Sequence, residues 1–131
     1  MEKEALIKRF VKTYIVRHRR DRTIREIQGG RGKFIDRLNH HITDIFHPAK
    51  LVELPQGVHH DAITEKLKIG GETLCYVFSH REQDDQILTF TDAFNQLFGN
   101  GLGFCLVPIE GDGIYIEGER ERGVPKRYVC G

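Results

Sequence analysis

The chain has 131 residues, a net charge of +1, 39% hydrophobic residues and 30% charged ones. This length suits one domain that buries roughly two-thirds of its unfolded surface, and this balance excludes a disordered or fibrous chain. No apolar run reaches the ~18–20 residues that a membrane span needs, and the charges dispersed through MEKEALIKRFVKTYIVRHRR leave no signal-peptide core.

Taken in chain order, the first predicted element is a helix over residues 2–16. At 100° per residue, Leu6, Ile7, Phe10, Val11 and Tyr14 share one face, with Lys8, Arg9 and Lys12 elsewhere. RHRRDR follows, then a short helix opened by Thr23 and Glu26 at capping-box spacing and stopped by GGRG. The next helix is expected over residues 33–46, ended by Pro48. LVELP reads as a brief extended stretch. Asp61 is placed to cap another helix that stops at Gly70.

From Glu72 onward the pattern changes. ETLCYVFS and GFCLVPI are apolar on both alternating sets, as strands covered on two faces require. Between them lie the loop HREQDDQ and a short helix capped by Thr91 that carries Ala93, Phe94, Leu97 and Phe98. EGDG turns into IYIEGERE, and RGVP turns that into KRYVC. Helices followed by β-α-β-β-β predict an α+β fold, with N-terminal helices packed on a mostly antiparallel sheet of about four strands. One domain spans residues 1–131, helical to about residue 70 and sheet thereafter.

Cys75, Cys105 and Cys130 are odd in number, widely spaced, and all in strand-like segments. Free thiols packed as small hydrophobes are expected, in a reducing, cytoplasmic compartment.

The near-zero net charge conceals an asymmetry. Residues 1–50 hold 13 Lys/Arg against 6 Asp/Glu, and residues 51–131 hold 7 against 13. Such a split presents a basic surface to phosphates or acidic partners, unless the halves neutralise each other in the fold. The Arg-rich segment 17–33 supplies Arg17, Arg19, Arg20, Arg22, Arg25, Arg31 and Lys33, whose guanidinium forks match phosphate oxygens. It carries no interleaved aromatics and no helix-turn-helix, KH or RRM signature. GGRGKF fails as a phosphate loop because Ile27 stands where the first glycine belongs and Phe34 follows the lysine. GNGLG runs from helix to strand, the wrong order for a dinucleotide loop.

The histidines suggest a different chemistry. On the helix expected over 33–46 and its end, Asp36, His40, Asp44 and His47 fall within about 80° of arc, a spacing at which neighbouring side chains meet. Imidazole and carboxylate together are ligands for a divalent metal, and His59 or His60 would complete a set if the following loop folded back. Phe34, Ile35, Leu38, Ile42, Ile45 and Phe46 occupy the opposite arc, so the Asp/His arc is expected to face solvent, with His41 bordering the core. Tyr115, Glu117, Glu119 and Glu121 alternate along a strand, a row suited to a hard cation or to the wet face of a sheet. Ser79 and His80 are adjacent on a strand, point to opposite faces and make a poor nucleophile–base pair.

Three functions follow. The first is a non-catalytic interaction or regulatory module for a protein partner, using the charge asymmetry and no cofactor. The second is nucleic-acid association through the segment 17–33. The third is a metal-binding protein or metal-dependent hydrolase built on Asp36, His40, Asp44 and His47 with a divalent ion.

Overall fold

The computed structural model describes residues 2–131. Six helices and six strands alternate in two blocks. The first block is helical: α1 (Lys3–Tyr14), a 3-10 turn over Arg17–Arg19, α2 (Arg20–Gln28), α3 (Gly32–His40) and α4 (Ile42–Ile45). Next come β1 (Leu51–Glu53), α5 (His60–Leu67), β2 (Leu74–Ser79), β3 (Ile87–Thr89), α6 (Phe90–Leu97), β4 (Phe104–Pro108), β5 (Ile114–Glu117) and β6 (Arg127–Cys130). No helix among the described residues is long and apolar enough to cross a membrane.

All six strands form one open antiparallel sheet in the order β1-β6-β5-β4-β2-β3. The α+β class and the antiparallel sheet are as the sequence predicts, but the sheet has six strands rather than about four. The additions are the two edges, β1, which lies in the stretch LVELP expected to be extended, and β3. Each is three residues long, too short for alternation to register.

The two apolar sets of the central strands face two separate layers of helix. Tyr76, Phe78, Cys105, Val107, Ile114 and Ile116 join a core with α1–α4. Cys75, Val77, Phe104, Leu106 and Tyr115 turn the other way, onto α5 and α6. In the first layer Phe10 and Phe34 each place a ring 5.0 Å from Phe78, and burying each such ring contributes about 1.5–3 kcal/mol. The ends of α1 and α4 are tied by an antiparallel bridge between Ile15 and Phe46, with His47 N–H donating to the Tyr14 carbonyl.

Several local expectations change. Thr23 lies inside α2 with its side chain buried, so that helix begins earlier and Thr23 caps nothing. Thr89, not Thr91, caps α6 by accepting from the Asp92 N–H. Helix α5 begins at His60 with His59 at its cap position, and it stops at Lys68, which takes a left-handed conformation ahead of Gly70. The helix expected over 33–46 is broken at His41, whose ψ of 25° diverts the chain between α3 and α4. His41 is exposed rather than packed. The row IYIEGERE is a strand only to Glu117, and Tyr115 and Glu117 are buried, not wet.

Candidate metal centre

Helix α3 runs from the basic segment to His40, and its C-terminal end is held against the start of β4. The Asn39 side-chain oxygen accepts from the Gly103 N–H at 2.7 Å. A Cβ at Gly103 would stand 2.5 Å from the Leu38 carbonyl, so only glycine admits this approach. The connection from β5 to β6 folds back over the same end of α3. Gly118 N–H donates to the Lys126 carbonyl at 2.9 Å, Glu119 N–H points to the Asn39 carbonyl, and Arg120 is bonded to Gly99 and Gly101.

This arrangement brings together three side chains from segments about eighty positions apart, as the numbering shows. His40 Nε2 lies 3.2 Å from Glu119 Oε2, and His40 Nδ1 lies 3.3 Å from Glu121 Oε1. One ligating atom from each of His40, Glu119 and Glu121 lies within 4.8 Å of the others. Glu119 is partly shielded, while His40 and Glu121 are open to solvent. The cluster borders a groove of about 350 Å³ between α3–α4 and the β5–β6 connection.

Two carboxylates face a single imidazole here. His40 is the one basic side chain paired with either carboxylate among the described residues. A neutral imidazole has one N–H, so it satisfies one carboxylate and turns a lone pair toward the other. A divalent ion held between that lone pair and the facing carboxylate would remove the conflict.

Of the four residues expected to form a metal set, only His40 enters this cluster. Asp36 is exposed, with Oδ1 3.9 Å from His80 Nε2. Asp44 pairs with His41 at 3.1 Å, and His47 Nδ1 accepts from the Ala49 N–H. His60 sits between Asp61 at 2.9 Å and the Thr91 hydroxyl at 3.0 Å, against Phe90 and Phe94. The break at His41 cancels the shared arc. The partners of His40 are Glu119 and Glu121, two members of the alternating carboxylate row.

The basic segment divides. Arg31 donates to both oxygens of Asp84 at 2.8 and 2.7 Å and to the Tyr76 hydroxyl at 2.6 Å, with its guanidinium over Phe78. Burial opposes its charge, but the hydrogen bonds and charge of Asp84 outweigh this and push its pKa upward. It is a structural clamp between the α2–α3 connection and the β2–β3 hairpin. Arg20 donates to the Ile15 carbonyl and Arg22 lies 3.5 Å from Glu26. Arg17, Arg19, Arg25 and Lys33 have no acidic partner among the described residues. Arg25 and Lys33 line a hollow of about 420 Å³ beside Gly29 and Gly32.

The three thiols are buried. Burial pushes Cys75 and Cys130 up to about 12, and Cys105 well above its ordinary value. Such thiols are poor nucleophiles and poor metal ligands at neutral pH.

No family model matches the chain, and no curated protein or solved structure does either.

Proposed function

We propose that the protein binds a divalent transition-metal ion through His40, Glu119 and Glu121, and presents it to a ligand in the adjoining groove. The observation that supports this reading is the convergence of one imidazole and two carboxylates within 4.8 Å of one another. A mixed nitrogen and oxygen set suits zinc or manganese. Coordination at about 2.0–2.2 Å asks the donors to contract around the ion, and the exposed positions of His40 and Glu121 leave room for that adjustment. Three protein ligands leave at least one position open, as in catalytic rather than purely structural sites. An ion there would act as a Lewis acid on an oxygen of the groove ligand.

The wider reading of a non-catalytic interaction module rests on charge distribution alone. The metal reading rests on named atoms and is preferred for that reason. The test is calorimetric titration of untagged, chelator-treated protein with Zn²⁺ and Mn²⁺. One equivalent of either ion is expected to bind, with Glu119→Gln and Glu121→Gln each weakening affinity at least about tenfold, the scale at which perturbing a metal site is felt. Unaltered affinity in both variants, or no binding at millimolar ion, would overturn the proposal.

A further inference from the structure

Resting on that metal centre, we infer that the ligand it takes is a small phosphate monoester, held between the ion and two cationic side chains of the β5–β6 connection. The groove beside the cluster has Ile42 and Thr43 on its helical side and Val124, Pro125 and Tyr128 on its strand side. Arg122 and Lys126 line the same groove and have no acidic partner among the described residues. A divalent ion at His40 is neutralised by Glu119 and Glu121, which leaves the groove with the two positive charges of Arg122 and Lys126.

A phosphate monoester, carrying close to two negative charges at neutral pH, balances that excess. It also has three terminal oxygens, enough for one on the ion and two on the Arg122 fork, one more than a carboxylate offers. The rest of the groove selects for what the phosphate is attached to. Val124 is 47% exposed there, an apolar surface without cover. With Ile42, Pro125 and Tyr128 it favours an ester bearing a ring or short alkyl group over bare phosphate. The volume of about 350 Å³ lies at the small end of ligand sites, which suits one such molecule and not the bases of a nucleic-acid strand.

Phenyl phosphate and inorganic phosphate are the probes, titrated into the full chain with and without Mn²⁺, with Mn²⁺ binding followed separately by electron paramagnetic resonance. Phenyl phosphate is expected to bind at least tenfold tighter with Mn²⁺ present, and tighter than inorganic phosphate. R122Q combined with K126Q is expected to lose at least tenfold in phenyl phosphate affinity, while Mn²⁺ affinity does not fall and the melting temperature is unchanged. Mn²⁺ binding without an Mn²⁺-dependent gain for phenyl phosphate overturns this inference and leaves the metal centre standing. Unchanged phenyl phosphate affinity in R122Q/K126Q overturns it too. Absence of Mn²⁺ binding removes the metal centre and the inference with it.

Discussion

Glu117 shows how far one residue departs from its local pattern. It is buried, yet every demand of its carboxylate is met: Arg127 Nε donates at 2.8 Å, the Tyr115 hydroxyl at 3.0 Å and Gly99 N–H at 2.9 Å. Arg127 in turn lies 4.1 Å over the Phe98 ring. Alternation places Glu117 on a polar face, but nothing in a single strand announces that an arginine on the neighbouring strand will neutralise it. Glu26 is a second carboxylate held this way, with Arg37 donating to both oxygens at 2.9 and 2.7 Å. Those hydrogen bonds and the charge of Arg37 hold its pKa below the ordinary 4.5 against the opposing effect of burial. A carboxylate depressed in the folded state stabilises the fold above its unfolded pKa, and this contribution is lost as pH falls through the folded value. Glu26→Gln is therefore expected to lower stability by about 1–3 kcal/mol at pH 7. The difference from the parent should shrink below pH 4.5. Urea denaturation at pH 7 and at pH 3 checks this, and a deficit that does not change with pH would exclude the mechanism.

At the scale of elements, the sequence was most informative where periodicity is long. The apolar faces of α1 and α3 are those read from spacing, and Phe10, Phe34 and Leu38 are all buried. Periodicity carries no signal for a break that only tertiary contacts require. The turn at His41 lets Phe46 pair with Ile15 and closes the helical layer on itself. That turn also decides the candidate site, because it separates His40 from Asp44 and His47. The carboxylates that replace them come from an element that periodicity treats as a strand continuing past Glu117. Gly103 is the hinge of this arrangement, since the end of α3 presses on its backbone. Gly103→Ala is expected to destabilise the protein by about 1–3 kcal/mol, as forced overpacking does. If the close approach positions His40, the same variant should also weaken Mn²⁺ binding at temperatures where it remains folded. Thermal melting and a metal titration measure the two effects separately, and a fully neutral substitution would contradict both.

For the whole molecule, two doubly apolar strands implied a sheet covered on both sides, and α1–α4 with α5 and α6 supply those covers. Which helices go to which side was not legible, because either face of such a strand accepts the same residues. The charge asymmetry was legible too, but not its outcome. Contacts between the halves neutralise Lys3 and Arg31 through Asp85 and Asp84, while Arg17, Arg19, Arg25 and Lys33 stay unpaired among the described residues. A polyanion is expected to bind the segment 17–33. Retention on heparin should fall with added salt, and replacing those four residues by glutamine should flatten the slope by about 3–4, close to one unit per phosphate-like contact. Elution at low ionic strength would show that the patch lacks the field this requires. Strand β6, finally, lies inside the sheet between β1 and β5 although it spans Arg127–Cys130. A nascent chain therefore cannot zip its sheet shut until residue 130 has cleared the ribosome. During that interval β1 has no strand to pair with, although Phe10 and Phe34 already have Phe78 to pack on. The speed of translation and the presence of a holding chaperone are then expected to bear on yield.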